Sequence, residues 1–326
     1  MRFGTISLDD AEGATLAHSV TTAEGRLRKG TRLGREEVAR LRAAGLAEVV
    51  AARLGPGDVP EDEAARIVAD ALTGPGLEVR APFTGRANIH ATGPGIVGIS
   101  RDRIDAANAL TPDITVATLP EWQRVATGTM VATVKIIPYA VPSEAFAGRL
   151  GGVAGALRLH APVLSHADLI VTTLEGAPSK SRAVTARLDR LGVACEVAHV
   201  PHETAALAAA IGASTAPLRL ILTASATSDA RDVGPAALLA AGGRLERFGM
   251  PVDPGNLLFL GALGAAAVIG LPGCARSPAL NGADWVLERI VCGVPVTGAD
   301  IAAMGVGGLL GEIPTRPQPR ERPVTK

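Results

Sequence analysis

The stretch LILTASATSDARDVGPAALLAAGG, residues 220–243, reads as a buried strand, a loop and a helix. The loop joins the small residues Ala224, Ser225, Ala226 and Thr227 to the charged pair Arg231 and Asp232. Two readings explain a connection so small that ends in two charges. In one, the free N–H groups of the helix N-terminus face an anion such as a phosphate. In the other, Asp232 caps an ordinary α/β turn.

The same rhythm extends on both sides of this stretch. VLSHADLIVTTL is a strand and SRAVTARLDRLG a helix that stops at Gly192. VACEVAHV and HETAALAAAIG repeat the pair, GRLERFGMPV and AAVIGLPG are further strands, and NGADWVLERIVCG is the last long helix. Strands alternating with helices in this way predict a parallel sheet with helices on both faces. Ligands of such sheets bind outside the carboxyl ends of the strands. Three loops rich in small residues, Gly or Pro follow those ends: 223–232, 250–256 (MPVDPGN) and 271–278 (LPGCARSP). Their convergence on one edge would leave room for a ligand and offer it backbone amides.

The front of the chain differs. Over 1–73, TLAHSV and AEVVAARL read as strands and EEVARLRAAG as a helix with Val38, Leu41 and Ala44 at helical spacing. PEDEAARIVADAL is a helix with an acidic start, as the helix dipole favours. From TGPGLE onward, APFTGRANIHA, GIVGIS, DITVATLP and RVATGTMVATVKIIPYAVP read as short strands around Gly and Pro turns, a compact β barrel or sandwich. The expected organisation is a small α/β unit over 1–74, a β-rich domain over 75–150, an α/β domain over 151–312, and a Pro- and charge-rich flexible tail over 313–326.

Bulk composition bounds the function. Of 326 residues, 47% are hydrophobic and only 2% aromatic, so the cores are built from Ala, Val, Leu and Ile. Formal net charge is zero and no basic block or aromatic platform exists, which disfavours nucleic-acid binding. The opening MRFGTISLDDAEG lacks an apolar signal core, and the most apolar tract, 257–271, is too short to span a bilayer. Three cysteines without paired or CxxC spacing fit a reducing compartment, so a soluble, cytoplasmic protein is expected.

The three loops resemble those of the molybdopterin-binding domain shared by molybdopterin adenylyltransferases and molybdenum insertases. TASATSDARD is similar to the T-G-G-T-G-x-x-x-R-D loop of that family, matching at Thr223, Arg231 and Asp232. DPGNLLFLG resembles P-G-K-P-x-x-x-G, matching at Pro254, Gly255 and Gly261. LPGCARS resembles L-P-G-N-P-x-S, matching at Leu271, Pro272, Gly273 and Ser277. RKG, EEVARLRAAG and VATVKIIPYAVP resemble the front half of molybdopterin-binding proteins fused to a molybdopterin nucleotidyltransferase.

The resemblance implies a three-layer parallel-sheet domain that binds molybdopterin or its adenylylated form in molybdenum cofactor biosynthesis. It also implies Mg2+-dependent nucleotidyl transfer from ATP or CTP, or molybdenum insertion, with a homo-oligomer and a nucleotidyltransferase partner as expectations. The residues implied are Thr223, Ser225, Ala226, Thr227, Arg231, Asp232, Pro254, Gly255, Asn256, Pro272, Gly273 and Ser277, with Asp232 as the catalytic residue and the Mg2+ contact. The sequence departs from the pattern at Ala224, Ser225 and Thr227, where the family has glycine. Asn256 replaces the lysine and Cys274 the asparagine, and His202-Glu203 stands near the place of a second acidic residue. These departures favour a non-catalytic module that delivers the pterin to a partner, and a different nucleotide-binding α/β protein is the third reading.

Each candidate has a plainer alternative. Asp232 is also a helix cap, Arg231 a solvated charge rather than a phosphate clamp, and Ser225, Thr227 and Ser228 ordinary turn residues. Gly255 and Gly273 permit either a positive φ or a close approach. Cys274 stands where a soft ligand would meet molybdenum, or simply fills space. Cys195, His199 and His202 have the wrong spacing for zinc, so His202-Glu203 reads as a cap. Lys135 would meet an anion or lie exposed, and Glu175 and Lys180 form a rim at the first strand end.

Overall fold

A computed structural model describes residues 1–175 and 181–311; the tail over 313–326 and Lys180 lie outside the described residues. The chain is mixed α/β, with one six-stranded sheet and several small sheets. It divides into two compact units, one of Met1–Gly93 and Val97–Leu159, the other of Pro94–Ile96 and the chain from His160. No helix among the described residues is long and apolar enough to cross a membrane.

Two apolar clusters organise the first unit. Ile6, Leu8, Leu16, Leu33, Leu41 and Val49 form the smaller. Helix Arg35–Ala43 contributes Leu41 and half-buried Val38 to it, whereas Ala44 is exposed just before Gly45 turns the chain at φ 82°. The larger cluster joins Ala64, Ala65, Val68, Ala69 and Leu72 of helix Glu61–Leu72 to Ala87, Ile89, Val134 and Ile136. Those last four lie on a four-stranded sheet in the order Ile114–Thr118, Met130–Ile136, Arg86–Ala91, Leu77–Val79. The region expected to be β-rich, 75–150, also holds the helix Arg101–Asn108. Its signals are Asp102 in the first turn and buried Ile104 and Ala107 three positions apart, one helical face.

The second unit holds the six-stranded sheet. Its order is Ala194–Pro201, His166–Thr173, Leu218–Leu222, Ala266–Gly270, Phe259–Leu263, Arg244–Phe248. The first four pair in parallel. Phe259–Leu263 is antiparallel to both its neighbours, so the sheet is mostly rather than wholly parallel. The 257–271 tract is thus a hairpin strand pair, whose buried residues leave little polar alternation to mark the turn. Because the reversed strand lies between them, Arg244–Phe248 runs in the same direction as Ala266–Gly270. The register aligns Phe248, Phe259, Gly270 and Ile221 across the sheet, and Ile221 with Ile170. The carboxyl ends of five strands therefore share one edge.

On one face of that sheet, Leu207 and Ile211 of helix Thr204–Ala213 and Ala237 and Leu238 of helix Val233–Ala240 pack with Ile170, Ile221, Phe259 and Val268. The Phe259 ring occupies the space that a Cβ at Gly270 would need, and a Cβ at Gly234 would lie 2.9 Å from its Cε1. Elsewhere in the unit, a buried ion pair joins Arg187 of helix Arg182–Asp189 to Asp284 of helix Gly282–Val291. Arg187 also donates to the carbonyls of Ala275 and Ser277 at 2.9 Å and Ala279 at 3.0 Å. One guanidinium therefore fixes the loop after the 266–270 strand.

Candidate functional site

The strand order reverses direction between His166–Thr173 and Leu218–Leu222: the chain moves outward to Ala194–Pro201 and then crosses to the other side. A crevice is expected at the carboxyl end of such a switch point. Thr172, His202 and Ser225 come from three successive strand ends and meet there. Thr172 Oγ1 accepts the Ala224 N–H at 2.8 Å and lies 2.8 Å from His202 Nδ1. His202 Nε2 lies 2.8 Å from Ser225 Oγ. Both ring nitrogens of His202 thus have protein partners, and it is not the helix cap; Glu203 occupies the N-cap position and makes no side-chain capping bond. Sequence reasoning missed Thr172 altogether and misread His202, although both stand at strand ends beside the opening loop.

The 223–232 loop divides into residues that hold it and residues that face outward. Thr223 Oγ1 donates to the Ser225 carbonyl at 2.8 Å and lies 3.2 Å from Thr227 Oγ1, with both threonines buried. Their hydroxyls tie the turn together instead of lining an opening. Ser225, Ala226 and Ser228 are exposed. Asp232 takes the N-cap position of helix Val233–Ala240, yet its carboxylate bonds no first-turn amide. Oδ2 instead accepts the N–H groups of Ser228 at 2.6 Å and Asp229 at 3.1 Å. Capping in its usual side-chain form is therefore absent, and the carboxylate closes the loop.

Arg231 forms a two-pronged pair with Asp229, Nε to Oδ1 at 2.7 Å and Nη2 to Oδ2 at 3.0 Å. The guanidinium beside Asp229 holds its carboxyl well down, at about 2. Arg231 is exposed and would have to leave this partner to clamp a phosphate.

The other two loops join this one through a chain of contacts. Arg276 Nη2 donates to the Thr223 carbonyl at 2.7 Å, linking 271–278 to 223–232. Asn281 Nδ2 donates to Cys274 Sγ at 3.0 Å. Gly282 N donates to the Pro254 carbonyl at 2.8 Å, and a Cβ on Gly255 would lie 3.0 Å from Gly282 Cα. The close approach that Gly255 permits, at φ 148°, is thus to the start of a helix of the same chain. Asn256 and Gly273 are exposed, Pro272 is buried, and the Ser277 hydroxyl accepts the Ala279 N–H at 3.3 Å within its own turn. In the first unit, Lys135 Nζ reaches the Thr84 carbonyl at 2.5 Å, which gives that cation a protein partner.

The three cysteines differ in their surroundings. Cys274 is exposed, whereas burial pushes the thiols of Cys195 and Cys292 up to about 11. Since the thiolate is the nucleophile, a thiol reagent at pH 8 should label Cys274 first, as read by peptide mass spectrometry. Equal labelling of Cys195 would overturn this arrangement.

A family model described as a domain of unknown function (DUF8806) matches residues 5–53. No curated protein matches the sequence. Among solved structures, the chain is similar to a crystal structure of the molybdopterin biosynthesis moea protein from Pyrococcus horikosii, with 15% identity over 74% of this chain and 80% of that one and a TM-score of 0.29.

Proposed function

We propose that the second unit is a three-layer molybdopterin-binding domain that takes molybdopterin, or its adenylylated form, at the carboxyl edge of the six-stranded sheet. The observation that carries this reading is the junction of the motif-bearing segments there, above all the Arg276 bond to the Thr223 carbonyl. Loop amides, Ser225 and the outward part of 223–232 would meet the ligand's phosphate. Asp232 Oδ1, which has no hydrogen-bond partner among the described residues, would accept a pterin N–H.

Asp232→Asn retains an acceptor oxygen for the 228–229 amides, so the variant should fold like the parent. Its pterin affinity should fall by about tenfold or more, because a charged acceptor is lost. Titration of purified protein with molybdopterin measures this, and unchanged affinity would leave Asp232 a purely structural residue.

Incubation with molybdopterin, ATP or CTP, and Mg2+ tests for nucleotidyl transfer, and added molybdate tests for insertion. No group of three or more His, Cys, Asp or Glu side chains among the described residues is arranged to hold a metal. In this reading the ion would arrive on the nucleotide, with Asp232 as its contact on the protein.

A second reading, a module that binds and delivers the pterin to a nucleotidyltransferase in the cytoplasm, is favoured by the pairing of Arg231 with Asp229. The side chains at Ala224, Ser225 and Thr227 and the loss of a lysine at Asn256 point the same way. Binding without turnover would support delivery, and absence of pterin binding would overturn both readings. Light scattering on the same sample tests the homo-oligomer expected of either.

A further inference from the structure

The chain Thr172–His202–Ser225 has a direction, and proton accounting fixes it. Thr172 is buried at 2% exposure. Its oxygen already accepts the Ala224 N–H, and its one proton has a single remaining hydrogen-bond partner among the described residues, His202 Nδ1. Leaving a buried hydroxyl proton without an acceptor is costly. Thr172 therefore donates to Nδ1, neutral His202 carries its proton on Nε2, and Nε2–H donates to Ser225 Oγ. The proton of exposed Ser225 is then free to turn toward whatever stands at the edge.

We propose that His202 is a positioning residue that holds Ser225 as a hydrogen-bond donor to a phosphate oxygen of the ligand. The inference rests on the reading that places a phosphorylated ligand at this edge. Successive donors polarise one another, which strengthens the last bond of the chain. The same direction excludes His202 from acting as a base toward Ser225 in this arrangement, because Nε2 has no lone pair to offer. An uncharged imidazole also suits an approaching anion better than a carboxylate at the same place, which would repel it.

Two measurements on the full chain test the proposal. Long-range 1H–15N correlation spectra, with the His202 signals identified by their loss in His202→Gln, should show the Nε2–H tautomer; the Nδ1–H tautomer would overturn the proposal. Calorimetric titration with inorganic pyrophosphate should show binding to the parent protein that weakens about tenfold or more in Ser225→Ala and in His202→Phe. His202→Gln, whose side-chain amide can donate to Ser225, should restore most of the affinity, which a merely structural role would not require. Circular dichroism establishes that each variant is folded. Absence of pyrophosphate binding, or equal binding by the parent, Ser225→Ala and His202→Phe, would overturn the proposal. If pyrophosphate binding follows the expected pattern but molybdopterin does not bind, the relay stands and the pterin reading falls. Pterin binding that is indifferent to both Ser225→Ala and His202→Phe overturns the relay alone.

Discussion

Asp284→Ala is expected to destabilise the second unit by about 3–5 kcal/mol, the usual cost of stranding one member of a buried ion pair. The side chains of Arg187 and Asp284 are 6% and 8% exposed, so water cannot take over the lost contact without opening the structure. Asp284 also accepts the Asn281 N–H at 2.8 Å and thereby closes the start of helix Gly282–Val291. Replacing both partners, as Arg187→Met with Asp284→Ala, should not restore stability. The carbonyls of Ala275, Ser277 and Ala279 would still lack their donor. Trp285 lies beside Asp284 on the same helix, so its fluorescence in a Trp122→Phe background reports urea unfolding of this unit. A loss below about 1 kcal/mol, the level of an exposed pair, would show that the guanidinium is not held as described.

Gly270→Ala is the second large effect. The added methyl group would overlap the Phe259 ring directly across the strand pair, and Gly234 also stands close to that ring. Overpacking of this kind costs about 1–3 kcal/mol and sometimes more. The diagnostic result is the coupling: Phe259→Leu should partly rescue Gly270→Ala, although alone it removes buried area from the same core. Additive losses in the same urea experiment would mean that the methyl group strains the backbone rather than the ring.

These two positions also show how far the sequence could be read. Strands such as DLIVTT and LRLILT were legible because short apolar runs alternate with helices at a steady interval. Gly270 was read only as one residue of the AAVIGLPG strand, since its partner Phe259 belongs to a strand hidden inside an apolar tract. A one-dimensional period cannot mark where such a tract folds back on itself when both arms are buried. The three loops were likewise legible in place and order, because small residues, Gly and Pro have to appear where chains turn sharply. Which hydroxyls face outward was not. Thr223 and Thr227 turn inward to each other, and Ser225 owes its setting to His202, 23 positions away along the chain. Such pairings arise only when the sheet order brings the end of its edge strand beside the loop two strands over.

The hairpin of Phe259–Leu263 and Ala266–Gly270 has a practical use as an attachment point. Its tip, Gly264 and Ala265, is exposed, and Gly264 has no neighbour within 4 Å of where a Cβ would stand. The tip lies at the opposite end of these strands from Phe259 and Gly270, about 13 Å away for a strand of this length. Exposed tips of this kind accept inserted residues well. A short peptide tag or a dye-bearing linker spliced there would allow the protein to be immobilised or made fluorescent with the carboxyl edge left uncovered.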